Sequence, residues 1–171
     1  RKPRGCMSSE FDSIFEANAL FSASFRASAL TGSALQGLAI ITCMDSRIDP
    51  LKVVGMQAGD AKILRNAGAR VTDDVLRTLV LATHLLNVHR ILVMPHTDCR
   101  MARGSEEEVH KAMMDVSGID TRSIEIRTVT NQKEALRTDV TRIQSYPLLP
   151  KGIEVAGAIY DVKTGKLERE I

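Results

Sequence analysis

Cys43-Met44-Asp45-Ser46-Arg47 closes the apolar run Leu38-Ala39-Ile40-Ile41-Thr42, and the reading of that junction decides the fold. The run is short and rich in β-branched residues, the pattern of a strand buried on both faces of a parallel sheet. Cys43 then stands at the carboxyl end of the strand, where ligand sites of open α/β sheets gather. Taken alone it is better explained as a small core hydrophobe, the usual fate of a free thiol. A second junction shifts the balance: Ile91-Leu92-Val93-Met94 leads into His96-Thr97-Asp98-Cys99, so one imidazole and two thiols lie at two strand ends.

Outward from these junctions the chain alternates strands with helices. Asp49 is placed to cap a short helix with Pro50 in its first turn, ending at Gly55. Ala61–Asn66 reads as a strand, and Gly68 follows in a loop where backbone can approach a ligand closely. Thr72 caps a helix reaching about Asn87, with Asp73 and Asp74 near its positive end. The apolar residues Val75, Leu76, Leu79, Val80, Leu81, Ala82, Leu85 and Leu86 cover most of that helix, which predicts burial by the sheet on one side and by a second subunit on another. Arg90–Pro95 is a strand, and Glu106–Met114 a surface helix whose Glu106-Glu107-Glu108 reads as a solvated face. Ile124–Val129 alternates as a fourth strand, Gln132–Tyr146 is a helix stopped by Pro147, and Val155–Val162 with Leu167–Ile171 form a hairpin around Lys163-Thr164-Gly165-Lys166.

Ahead of the first strand, Phe11, Ile14, Phe15, Phe21, Phe25 and Ala29 recur at helical spacing between Ser8 and Leu30, with Ser9 as the expected N-cap. This stretch holds every Phe of the protein, so its apolar face packs either on its own domain or, as an arm, on a partner. Residues 1–7 read as a flexible basic tail in which Cys6 is an ordinary thiol. The rest, 8–171, reads as one α/β domain: a mostly parallel central sheet in the order 2-1-3-4 with a C-terminal edge hairpin, flanked by helices and preceded by a helical arm.

Composition bounds the function classes. A chain of 171 residues with 44% hydrophobic and 26% charged residues can bury one ordinary core, filled by aliphatic side chains since Trp is absent. A net charge of +2 gives no electrostatic case for nucleic acid, and no apolar stretch reaches the ~20 residues of a membrane span, so the protein reads as soluble. Three Cys are too few for a disulfide framework and no secretory segment precedes them, which points to the cytoplasm and to metal or catalytic work.

In a 2-1-3-4 sheet the first and third strands are neighbours, and the gap between their carboxyl ends is the topological switch point. Cys43, His96 and Cys99 would meet there. Two thiolates and an imidazole form a zinc donor set, and three protein ligands with an open position is the pattern of catalytic zinc. Two thiolates also neutralise the ion, so its acidity needs neighbouring help. Asp45 can accept a hydrogen bond from metal-bound water while Arg47 clamps its carboxylate; alternatively Asp45 binds the metal itself and closes the site. His84, His89 and His110 read as packed or solvent-facing, His110 being the one also suited to relay protons.

With Cys43-Met44-Asp45-Ser46-Arg47, Ile63-Leu64-Arg65-Asn66-Ala67-Gly68, Val71-Thr72-Asp73-Asp74-Val75 and His96-Thr97-Asp98-Cys99, the chain resembles a β-class carbonic anhydrase from Leu38 to about Met101, and more loosely through the C-terminal hairpin. The resemblance implies one zinc per chain on Cys43, His96 and Cys99, an Asp45/Arg47 dyad, and reversible hydration of CO2 to bicarbonate through metal-bound hydroxide. It also implies a homodimer or homotetramer with sites near the subunit interface and the leading helix embracing the partner. The family usually has Gly after the second Cys ligand, where this chain has Arg100, which narrows the site, attracts bicarbonate or points to solvent. Gly68 and Arg100 are thus the residues expected near substrate. Two other functions fit the same motifs: hydrolysis of carbonyl sulfide or carbon disulfide, and a non-catalytic zinc protein with Asp45 closing the metal site.

Overall fold

β1 (Leu38–Cys43) is buried at every position, as a strand covered on both faces must be. It is taken here from a computed structural model that describes residues 9–171; the expected tail over 1–7, with Cys6, lies outside the described residues. The fold divides into two compact units, one ending at Thr31 and one running Gly32–Ile171.

In the larger unit β1 pairs in parallel with β2 (Ala61–Asn66) on one side and β3 (Arg90–Met94) on the other. β4 (Glu154–Tyr160) adds in parallel to β3, and β5 (Leu167–Arg169) closes the edge antiparallel to β4, giving the order β2-β1-β3-β4-β5. The C-terminal hairpin is therefore present, but its first strand takes the fourth place that Ile124–Val129 was expected to fill. That segment forms no strand. Arg127 sits at φ 62, which breaks an extended run. The amides that a ladder would use are already taken: Ile126 and Thr128 donate to the Glu106 carboxylate at 3.1 and 2.8 Å, and Val129 donates to the Met101 carbonyl at 2.8 Å.

Alternate residues of β1 serve opposite sides of the sheet, as the period of a strand requires. Ala39 and Ile41 join Ile91, Val93 and side chains of α3 (Asp73–Leu85) and α5 (Gln132–Gln144) in one core. Leu38 and Ile40 join Met94, Ile48 and both Cys43 and Cys99 in the other, against which Val53 of the short α2 (Pro50–Val53) packs. Asp49 stands at the N-cap position of α2 but makes no side-chain cap bond. Thr72 caps α3 as expected, its hydroxyl accepting from the Val75 amide at 3.4 Å. Val75, Leu76, Leu79 and Ala82 are buried while Leu85 is 71% exposed, so one side of α3 is covered within the chain and the other is open.

α4 (Glu106–Ser117) begins with a capping box between Ser105 and Glu108 and ends at Gly118 in the left-handed region. Its glutamates are not merely a solvated face, since Glu106 holds the 126–128 backbone and Glu108 closes the cap. In the smaller unit α1 spans Asp12–Ala23, shorter than the expected Ser8–Leu30. Its N-cap is Phe11 rather than Ser9, whose hydroxyl instead accepts the Phe11 amide at 3.2 Å. No residue of α1 is buried, and Phe15 is 70% exposed. Among the described residues no helix is long and apolar enough to cross a membrane.

Candidate metal centre

The carboxyl ends of β1 and β3 lie side by side, with Thr42 opposite Met94, and the Thr42 hydroxyl donates to the Met94 carbonyl at 2.8 Å. Directly beyond that bond the two chain segments open into loops, and three donor atoms converge. The sulfurs of Cys43 and Cys99 and a ring nitrogen of His96 all lie within 4.8 Å of one another, all three residues being buried. Among the described residues this is the group of His, Cys and acidic side chains that could hold a metal ion.

His96 carries the sharpest signal. Its Nδ1 lies 2.6 Å from the Thr97 carbonyl, which can only accept, so Nδ1 bears the proton and Nε2 is left with its lone pair. Nε2 is buried and has no hydrogen-bond partner among the described residues. An orphaned buried acceptor costs about 1–3 kcal/mol. A metal ion at that point removes the cost, and the two sulfurs beside it are soft ligands that complete a zinc-like donor set. The residues present therefore fit a metal.

The thiols are electrostatically unequal. Cys43 is pushed well down, first by the hydrogen bond it accepts from Cys99 and further by His96 and the Gly68 amide, against the upward push of burial. Cys99 is pushed up, chiefly because it keeps the proton the pair shares. Burial works to lower His96, but the neighbouring Cys43 sulfur and the Thr97 carbonyl outweigh that and leave it raised.

Asp45 and Arg47 form a fork beside this group. Arg47 donates from Nε and its own amide to Oδ1, both at 2.9 Å, and from Nη2 to Oδ2 at 2.7 Å. These bonds hold the carboxyl far below the usual carboxylate range. Oδ2 also lies 3.7 Å from His96 Nε2, so the carboxylate borders the donor group without belonging to it. Arg47 reaches across to the other loop as well, donating to Asp98 Oδ2 at 2.9 Å and to its carbonyl at 3.1 Å. Asp98 adopts φ 53 between His96 and Cys99, is bound on its far side by Arg103, and is held down to about 2 by Arg103 and then Arg47.

Gly68 lies at φ 83 and its amide donates to Cys43 Sγ at 3.4 Å. A Cβ there would stand 3.1 Å from the Met101 side chain, so both the conformation and the space call for glycine. Arg100 is exposed; its Nη1 donates to the Arg103 carbonyl at 2.9 Å, and it lines a shallow surface hollow with Ala112, Met113 and Val116. His84 is tied to the Leu148 carbonyl and His110 to Thr121 and Glu106, none of them a residue of the metal group.

Three contributors escaped the sequence reading as separate parts of the site. Arg65 donates to the Cys43 and Asp45 carbonyls, each at 2.7 Å, and so shapes the loop carrying them. The available signal was a cation at the carboxyl end of a strand, in register with Thr42. Gln132 donates to the His96 carbonyl at 2.6 Å, and Asp98 joins the two arginines; a polar residue at a helix start and a motif spacer offer no such signal alone.

A family model described as carbonic anhydrase matches residues 38–167. Beta-carbonic anhydrase 1 of Mycobacterium tuberculosis is 37% identical over 131 residues, covering 76% of this chain and 79% of that protein. A carbon disulfide hydrolase of Acidianus is 31% identical over 154 residues, covering 76% and 75%. The crystal structure of carbonic anhydrase from Streptococcus mutans superposes with a TM-score of 0.89 at 35% identity, covering 97% of this chain and all of that one.

Proposed function

The chain belongs to the β-carbonic anhydrase family, an enzyme family, and from that premise we propose that it catalyses the reversible hydration of CO2 to bicarbonate with one zinc ion per chain. The observation that carries this reading is the orphaned Nε2 of His96, buried beside two thiols while the neighbouring carboxylate is held in a guanidinium fork. Cys43, His96 and Cys99 would hold the ion. Zinc supplies Lewis acidity there, making water a nucleophile near neutral pH.

The rest of the chemistry falls to the chain's own groups. Asp45, kept ionised by Arg47, presents a fixed acceptor at Oδ2 that orients an incoming water through its proton and aims the oxygen lone pair at CO2. Arg47 keeps that acceptor in place by tying the Asp45 loop to the Asp98 loop, so the two halves of the site keep one spacing. Arg65 and Gln132 fix the backbone behind Cys43 and His96. The fork engages both Asp45 oxygens, which favours a carboxylate serving as acceptor over one that closes the metal site.

The likeness to carbon disulfide hydrolases favours one second reading, in which the same groups orient water toward CS2 or carbonyl sulfide. Stopped-flow assays of CO2 hydration and CS2 hydrolysis on zinc-loaded protein separate the two. We expect CO2 turnover that is lost in Asp45→Asn at full zinc content; CS2 turnover without CO2 turnover would move the assignment to the second reading.

We further propose that the protein works as a homodimer or homotetramer in the cytoplasm. The exposed phenylalanine face of α1 and the open side of α3 supply apolar surface for subunit contact, and the free thiols of Cys43 and Cys99 suit a reducing compartment. Sedimentation equilibrium should find multiples of the 18.8 kDa chain.

A further inference from the structure

α5 presents one face to both halves of the candidate metal site. Gln132, Leu136 and Asp139 are spaced by four and three residues, so they share a side of the helix, and all three border a narrow hollow with Gly68, Ala69 and Arg70. At the first position Gln132 Nε2 donates to the His96 carbonyl at 2.6 Å. At the last, Asp139 is buried and receives Arg70 Nε at 2.8 Å, Arg70 Nη2 at 3.4 Å and the Val71 amide at 3.1 Å. Arg70 is the exit of the loop that carries Gly68. The Asn66 side chain closes that loop by bonding the Arg70 amide at 2.9 Å and its carbonyl at 2.7 Å, and the enclosed Gly68 amide points at Cys43 Sγ.

We propose that Gln132 and Asp139 are positioning residues for the metal ligands, Gln132 acting on His96 through its carbonyl and Asp139 acting on Cys43 through Arg70 and the Gly68 amide. Neither touches a ligand atom, so neither is a catalytic residue. The inference rests on the zinc reading of Cys43, His96 and Cys99. A hydrogen bond from a backbone amide to a thiolate withdraws charge from the sulfur, and a fixed imidazole holds its lone pair in one direction. Both effects need the two loops to keep their distance, and a helix that grips one through Gln132 and the other through Asp139 supplies that rigidity.

Leu136 gives the control. It lies on the same face between the two polar residues and packs on β4 so closely that a Cβ on Gly157 would come within 3.0 Å of it. Truncating it weakens the core without removing a bond to either ligand segment.

The test is zinc affinity, measured by competition with a chromophoric chelator, together with the sulfur-to-metal charge-transfer band of cobalt-substituted protein. Gln132→Ala, Asp139→Asn and Leu136→Ala are compared with wild type, and thermal midpoints are recorded for zinc-loaded and zinc-stripped forms. We expect Gln132→Ala and Asp139→Asn each to weaken zinc binding by about tenfold or more and to move the cobalt band, with the midpoint gap between loaded and stripped forms narrowing. Leu136→Ala should lower both midpoints and leave affinity within about twofold of wild type. Zinc affinity unchanged in both polar variants, or lowered equally in all three, overturns the proposal. If Asp139→Asn does not fold, Gln132→Ala alone decides by the same criteria. Wild type that takes up no zinc is a distinct result: it removes the metal reading and this inference with it.

Discussion

Replacing Arg47 tests whether the site depends on a guanidinium or only on a positive charge. The side chain makes three separate uses of its planar fork: Nε and Nη2 hold the two Asp45 oxygens, and Nη1 holds Asp98 on the other loop. Lysine keeps the charge but offers one compact ammonium, which can satisfy Asp45 or Asp98 but not both with this geometry. The Asp45 acceptor, 3.7 Å from His96 Nε2, then loses one restraint and swings on its own rotamers. A displacement of order 1 Å in a group that orients a reactant costs about 10²-fold in rate. Arg47→Lys should therefore lower kcat/KM for CO2 hydration by about 10²-fold, and Arg47→Ala by as much or more, since it also frees the Asp98 loop. Zinc content should stay at one per chain in both, because Arg47 is not among the three residues whose donor atoms converge. Stopped-flow rates read against metal analysis provide the measurement. Arg47→Lys turning over at the wild-type rate would refute the fork as an orienting device; loss of zinc in step with loss of rate would show that Arg47 supports the ligands rather than the acceptor.

Two further outcomes follow from side chains around the site. Arg100 turns to the Arg103 carbonyl and the surface beside α4, so Arg100→Gly should leave kcat/KM within about twofold of wild type, and a tenfold change would place the cation in the path of substrate. Glu106 is held below its usual range by the amides of Thr128 and Ile126, and the His110 ring beside it adds to the effect. A lowered folded-state value means its stabilisation is complete above the unfolded value of about 4.3 and is lost as pH falls through the lower folded value. Glu106→Gln should accordingly be less stable than wild type at neutral pH, and the gap between their thermal midpoints should close below about pH 4. A gap independent of pH would mean that the carboxylate's charge contributes nothing to docking the 126–128 segment.

The legibility of the sequence followed the range of the interactions involved. β1, β3 and the convergence of Cys43, His96 and Cys99 were readable because apolar runs of strand length end at chemically distinctive residues, and a parallel sheet brings such ends together. Ile124–Val129 was misread because alternation reports which side chains face inward, not where the amides find acceptors. Glu106, about twenty residues upstream, supplies those acceptors and pre-empts a ladder. The leading helix was overextended because its Phe spacing continues past Ala23 while the backbone does not: Ser24 leaves the helical region at φ −106, and the Ser24 and Phe25 amides bond carbonyls only three residues back. The bonds of Arg47 to Asp98, Arg65 to Asp45, Gln132 to His96 and Arg70 to Asp139 span 20 to 69 residues, a separation that local pattern cannot see.

The same long reach explains how a site split between two loops holds its shape. Cys43 leaves one strand and His96 with Cys99 leave its neighbour, so their spacing depends on whatever joins the two loops beyond the last ladder bond. Arg47 joins them on the side of the reacting groups through Asp45 and Asp98, while Thr42 joins them at the root through the Met94 carbonyl. The buried Thr42 bond is available in any pH range, since neither partner ionises there, whereas the Arg47 bridge is ionic and partly exposed. Screening by salt acts on the second and hardly on the first. Salt that weakens the Arg47 bridge therefore acts on the loops that carry Asp45 and Asp98, while the Thr42 bond at the strand ends keeps its strength.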